Sequence, residues 1–404
     1  MRDALTTTAG EGDLPRWFAA VFDTVKNIRY GAMIFVLPDG RVFRAQGPEP
    51  GGEAVIEVRD PELFGRIIRD GELGFAESYM DGQWDTPDLQ EVLDVALMNN
   101  ENMVRQFSAA AVARVFERLR HWMNRNTKRG ARRNIAAHYD LGNQFYERWL
   151  DESMTYSSAL FSGSQEPLEV AQRNKYAAIC DAIGAAPGGH VLEIGCGWGG
   201  FAEYAARERG LRVTGLTISQ AQHDFARARM QREGLNDRVD IVMRDYRDER
   251  GRYDGVASIE MFEAVGEKFW PVYFDTLRDR MRPDARAALQ IITISDRLFD
   301  RYRKSVDFVQ KYIFPGGMLP SPTVLRAETR RAGLDMVGSI EFGQSYSDTL
   351  RRWRASFNEA WDDIAPLGFD DRFRRMWNFY LASCASCFRA GTTDVTQVTL
   401  RRPA

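Results

Sequence analysis

Apolar and polar positions follow two different rhythms along this chain, and the rhythm changes near residue 135. Trp17, Phe18, Val21, Phe22 and Val25 recur at helical spacing and predict an opening helix. In GAMIFVLPDGRVFRAQG, the turn residues Pro38-Asp39-Gly40 lie between two strand-like runs, which predicts a hairpin. AVIEVRD (54–60) reads as a further strand, and residues 61–85 as helical segments broken at Gly71, Gly74 and Gly82. Residues 1–14 are small and polar, and a disordered tail is expected there. Residues 15–105 therefore form a smaller α+β unit with no catalytic constellation, suited to binding or positioning.

Beyond 135 the pattern becomes strand, helix, strand, helix. Strands are expected at 190–196, 212–218, 239–245, 253–260, 286–295, 333–343 and 394–402, with a helical insertion over about 347–390 before the last. Short apolar runs alternating with helices predict a mainly parallel sheet covered on both faces, so residues 135–404 read as one α/β domain. Between the units, 106–134 reads as a basic linker helix. It has eight basic residues between Arg114 and Arg133 against the single acid Glu117, with Val112, Val115, Phe116, Leu119, Trp122 and Met123 at helical spacing. Such a segment suits an anionic lipid surface or a solvated linker.

Composition narrows the class. A 404-residue chain with 44% hydrophobic and 27% charged residues is an ordinary globular protein of two domains. No apolar run is long enough to span a bilayer, and the first residues lack a signal-peptide layout, so cytoplasmic residence at the inner membrane face is expected. Four cysteines make no disulfide framework, and Cys384 and Cys387 lack the second pair that a metal site needs. With no extended basic surface elsewhere, nucleic acid is not an expected partner.

The most informative stretch is VLEIGCGWGG (191–200). A buried strand runs into Gly195, Gly197 and Gly199 and then into a helix, which brings backbone N–H groups close to a nucleotide-like ligand. With Glu193 two residues before the first glycine, the spacing is that of S-adenosylmethionine (SAM) methyltransferases, the acid facing the ammonium of SAM. After the second strand, Thr217, Ser219 and Gln222 occupy the place of the usual ribose-binding acid. Asp245, after the third strand, is placed to accept from the adenine amino group or to cap a turn.

HYDLGNQFYERWLDESMTYSSALF (138–161), VLEIGCGWGG, VTGLTIS, RDYRD, SIEMFEAVG (258–266) and QKYIFPGGMLPS (310–321) together resemble the cyclopropane-fatty-acyl-phospholipid synthases, from His138 to the C-terminus. GELGFAESYMDGQW (71–84) is similar to their lipid-binding N-terminal domain. The resemblance implies a seven-stranded SAM-methyltransferase sheet and a homodimer. It also implies methyl transfer to the cis double bond of unsaturated phospholipid chains, through a carbocation that then loses a proton. It assigns Tyr156, Ser157 and Tyr246 to SAM, and implies a bound bicarbonate as the base or its relay, held by a Cys, a Glu, a His, a Tyr and a backbone group.

Glu263, Tyr346 and the backbone of Ile292 match that set. Ser158 stands where the family has cysteine, Gln290 where it has histidine, and Ala264 where a further histidine follows the glutamate. Ser158 and Gln290 can both donate to an oxyanion, but neither titrates near neutral pH. Three outcomes follow: cyclopropane formation, a methylated or methylene-bearing olefin from the same cation, or lipid binding without turnover.

Overall fold

The computed structural model describes residues 4–99 and 141–403. The predicted basic segment and His138 lie outside the described residues. The chain divides into two units, and the division differs from the expected one. Among the described residues, 304–313 and 365–390 belong with the N-terminal unit, while 141–303, 314–364 and 391–403 form the second.

The N-terminal unit is built on a four-stranded sheet in the order β2-β1-β3-β4. Its strands are β1 (Tyr30–Val36), β2 (Val42–Gln46), β3 (Glu49–Val58) and β4 (Trp84–Asp85). β1 and β2 form the antiparallel pair that Pro38-Asp39-Gly40 predicts, with Val36 opposite Val42. Phe18 and Phe22 from the opening helix (Phe18–Val25) pack with Phe35, Phe43 and Phe64, the Phe18 and Phe43 rings meeting edge-on at 4.8 Å.

Two expectations are corrected here. The tail is not free, because Leu5 pairs with β2: its N–H donates to the Val42 carbonyl and its own carbonyl accepts from Arg44, both at 2.8 Å. Gly74 does not break a helix but lies inside Glu72–Met80. A Cβ there would sit 2.2 Å from the Arg66 carbonyl of the preceding helix (Glu62–Asp70), so the glycine serves close helix contact. The break is at Gly71, at φ +59°.

The helix Asp371–Arg389 was expected within the insertion of the α/β domain, yet its partners belong to the N-terminal unit. Phe379 meets the Tyr79 ring at 5.9 Å, Ser386 Oγ accepts from Gln90 Nε2 at 2.7 Å, and Arg389 pairs with Asp94 at 2.6 Å. Helical periodicity predicts the helix but carries no information about which unit covers its apolar face. Cys384 and Cys387 lie on this helix, half-buried and not joined in a disulfide.

The second unit holds a seven-stranded sheet in the order β10-β11-β9-β8-β5-β6-β7. Its strands are β5 (His190–Ile194), β6 (Arg212–Thr217), β7 (Val239–Met243), β8 (Tyr253–Ile259), β9 (Met281–Ile294), β10 (Asp335–Glu341) and β11 (Thr393–Arg401). β5 to β9 run parallel, whereas β11 is antiparallel to β9 and β10 to β11. Successive side chains of a strand point to opposite faces, and both faces are apolar. Leu192, Val256 and Leu289 enter one core, and Val191, Ala257 and Ala288 the other. β6 and β7 continue to one side of β5 and β8 to β11 to the other, so the order reverses between β5 and β8. Ligands of open α/β sheets bind outside the carboxyl ends of the strands at such a reversal.

Candidate active site

The glycine loop follows β5 directly. Gly195, Gly197 and Gly199 all have positive φ, at +84°, +51° and +86°, a backbone that side chains adopt at a cost. Gly199 caps the helix Gly200–Arg209. A Cβ on Gly195 would lie 2.7 Å from Met261, whereas one on Gly197 would meet nothing within 4 Å. Gly197 therefore borders open space in front of a helix N-terminus. Beside this loop, Glu193 is buried, and its Oε2 has no protein partner. Burial pushes its carboxyl up to about 8, with Lys175 opposing the shift. A cationic ammonium brought to that oxygen would satisfy it, so the loop and its acid fit SAM.

The other expected SAM residues have local partners. Thr217 Oγ1 and Gln222 Oε1 lie 3.0 Å apart after β6, and Ser219 caps the helix Gln220–Arg232. Asp245 closes a turn: both of its oxygens accept from the Arg247 guanidinium, at 2.8 and 2.6 Å, and Oδ1 also takes the Arg247 N–H. The structure therefore gives Asp245 the capping role. Tyr246 follows it, half-buried, its ring edge-on to Tyr273 at 5.6 Å.

The polar centre lies at the carboxyl ends of β8 and β9, and its hub is a residue that the sequence reading missed. Glu260 Oε1 accepts from the Ser158 N–H and from Gln290 Nε2, each at 2.7 Å. Tyr346 also hydrogen-bonds to this carboxylate. Gln290 donates in addition to the Ser158 carbonyl at 3.2 Å and accepts from Gln397 at 3.0 Å. Glu260 itself has φ +48°, a strained value for a residue with a side chain, held by these contacts.

Ser158 enters the site through its N–H, because its hydroxyl donates to the Ala159 carbonyl at 2.9 Å. That corrects the expectation of a side-chain donor at this position. Glu263 Oε1 accepts from the Ile292 N–H, and its Oε2 is buried without a protein partner. Burial first, and then the charge of Glu260, push the Glu263 carboxyl up to about 8.

Lys175 completes the centre and was also missed. Its ammonium is fully buried and donates to Ser157 Oγ at 2.7 Å. Burial drives it down to about 7, opposed by Glu260, Asp151 and Glu193 in that order. Glu260 is raised by burial and lowered most by Lys175. The signal for Lys175 was its place on the helix Leu168–Ile183, where it shares the spacing of the buried Ala171, Ile179 and Ile183. Tyr156, Trp353 and Tyr346 form a run of rings beside these groups, with centroids 5.2 and 6.0 Å apart.

The residues present do not fit a free bicarbonate as the resemblance implied. Ser158 N–H, Gln290 and Tyr346 are bonded to Glu260, and Ile292 N–H to Glu263. The donors expected to hold that anion are already held by carboxylates of the chain.

The family model described as mycolic acid cyclopropane synthetase matches residues 126–398. The chain belongs to this family. It is 39% identical over 373 residues to the tuberculostearic acid methyltransferase UfaA1 of Mycobacterium tuberculosis, covering 88% of this chain and 84% of that one. It is 37% identical over 355 residues to the cyclopropane-fatty-acyl-phospholipid synthase of Escherichia coli, covering 86% and 88%. Among solved structures, the mycolic acid cyclopropane synthase CmaA1 in complex with SAH and CTAB is similar at a TM-score of 0.63 and 27% identity, over 67% of this chain and 98% of that one. As a member of this family the chain is a SAM-dependent methyltransferase that modifies fatty-acyl lipids. No described helix is long and apolar enough to cross a membrane.

Proposed function

We propose that the chain methylates the cis double bond of unsaturated acyl chains in membrane phospholipids and closes the product to a cyclopropane. The observation that carries this reading is a dry centre holding Glu260 and Glu263 next to the glycine loop, flanked by aromatic rings. An isolated alkene is a weak nucleophile, so its reaction needs alignment and exclusion of water.

SAM, when bound, supplies the electrophilic methyl group. Gly195, Gly197 and Gly199 admit its amino-acid end, Glu193 faces its ammonium, and Thr217 and Gln222 serve the ribose hydroxyls. Tyr156, Ser157 and Tyr246 complete the cofactor side. Rings at Tyr156, Trp353 and Tyr346 can present π faces to positive charge on the lipid chain, worth about 2 kcal/mol or more in a desolvated site. Glu263 keeps the end of β9 in place through Ile292 and leaves one oxygen in the dry centre.

A second reading, in which the cation yields a methyl- or methylene-bearing olefin, is favoured by Ser158 and Gln290 replacing the family's cysteine and histidine. The likeness to a tuberculostearic acid methyltransferase supports it as well. We also propose that residues 114–133 rest on anionic lipid at the inner membrane face and that the enzyme is a homodimer. Vesicle sedimentation and light scattering test those two points.

The reaction itself is tested by release of S-adenosylhomocysteine. Turnover is expected with vesicles of unsaturated phospholipid and not with saturated vesicles. Equal turnover on free unsaturated fatty acid would move the enzyme to soluble substrates.

A further inference from the structure

The cation formed by methyl transfer must lose a proton, and the site described above leaves no free donor set for an external anion. We infer that Glu260 is the base, a carboxylate built into the chain in place of a bound bicarbonate. This rests on the proposed lipid methylation.

Several independent observations converge on it. Three positions assigned by resemblance to the anion, Ser158, Gln290 and Tyr346, all bond to Glu260. The residue keeps a left-handed backbone, φ +48°, that glycine would adopt freely, so the contacts of its side chain offset local strain. The fully buried Lys175 amine, in its charged form, opposes the burial that raises the Glu260 carboxyl. A carboxylate has about four lone-pair directions, and the three donors leave one for a proton.

The step balances. The S–CH3 bond of SAM breaks as the alkene π pair forms the new C–CH3 bond, giving S-adenosylhomocysteine and a carbocation. A C–H bond of the added methyl then breaks, its electron pair closes the ring onto the neighbouring carbon, and the proton passes to Glu260. Glu263, whose second oxygen is unpartnered, lies in the same dry centre as a second station for that proton.

The test uses the full-length protein, SAM and vesicles of unsaturated phosphatidylglycerol, in buffer freed of carbon dioxide and with bicarbonate restored. Wild type should release S-adenosylhomocysteine at the same rate in both. Glu260→Gln should lose at least about a hundredfold in kcat, the scale of a removed acid–base group, while SAM affinity stays within threefold. Glu260→Gly should fold, because φ +48° suits glycine, and it frees the three donors. It should then bind carbon-13 bicarbonate by NMR, where wild type does not, and recover turnover when bicarbonate or formate is added. Wild-type turnover that requires bicarbonate would overturn the inference and leave lipid methylation standing. So would Glu260→Gln retaining turnover within threefold of wild type. If wild type shows no turnover with or without bicarbonate, the functional reading falls as well.

Discussion

Gln290 on β9 and Glu260 at the end of β8 are joined by a 2.7 Å hydrogen bond from Nε2 to Oε1. The two strands are parallel neighbours, with Ile259 opposite Gln290 in register. Glu260 follows β8 directly and its own N–H donates to the Gln290 carbonyl at 2.8 Å, so the side-chain contact lies one residue beyond the strand pairing. Gln290 is fully buried and also accepts from Gln397 in the middle of β11, so one amide ties together three adjacent strands.

Restoring the family residues at this point tests what the amide does. In the double variant Ser158→Cys, Gln290→His, an imidazole able to titrate near neutral pH replaces a group that cannot. If the altered pair sets the fate of the cation, gas chromatography should show the product ratio moving towards cyclopropane. A ratio unchanged from wild type would make the two substitutions neutral for product choice.

Glu263→Gln keeps the shape of the side chain and removes its capacity to hold a proton. A fall in kcat of about a hundredfold or more is expected, the usual contribution of an acid–base group, with SAM affinity little changed. A loss below about threefold, measured on vesicles, would remove Glu263 from the reaction.

Gly197 offers the cleanest test of the cofactor loop. A Cβ there meets nothing within 4 Å, so Gly197→Val carries a folding cost that starts from the left-handed backbone, at least about 1–2 kcal/mol. It should nevertheless fill the space in front of the helix and weaken SAM at least tenfold, about 1.4 kcal/mol, by calorimetry. Gly195 is less informative, since a Cβ there clashes with Met261 before any ligand is considered.

Glu193 predicts a pH dependence with a definite sign. Its folded carboxyl lies near 8, well above the ordinary 4.5, because it is buried. At pH 7 it is therefore protonated before SAM arrives, and an ammonium beside it favours the ionised form. Binding should release a proton, and affinity should rise up to about tenfold between pH 6.5 and 7.5. Calorimetry in buffers of different ionisation enthalpy reads the proton directly, and Glu193→Gln should abolish the slope. The same group affects folding in the opposite direction. Its stabilisation is full below its unfolded value and is lost as pH rises towards 8.

Much of the sheet was legible because burial on both faces leaves apolar runs such as Val191-Leu192 and Ala288-Leu289 between helical segments. The glycine loop was legible because Gly195, Gly197 and Gly199 have few other uses after such a strand. Tertiary partnership was not legible. Nothing in the sequence between Asp371 and Arg389 tells a helix which unit will bury it, and nothing around Gly74 distinguishes a breaker from a contact glycine. Glu260 was missed for a related reason. An acid that ends a strand reads the same whether it faces water or three buried donors, and one of those donors is the backbone of Ser158. Lys175 carried a usable signal in its spacing with buried neighbours, against the general rule that lysine stays exposed.

Whether the enzyme closes a ring on the lipid chain is decided by expressing it in a bacterial host that lacks its own synthase and analysing total phospholipid fatty acids by gas chromatography–mass spectrometry. A new saturated-ring acid one CH2 heavier than its unsaturated parent is expected, absent when Glu260→Gln is expressed at the same level. A methyl- or methylene-bearing olefin as the main product would contradict ring closure. No one-carbon-heavier acid at all, from a protein that still binds SAM, would contradict lipid methylation itself.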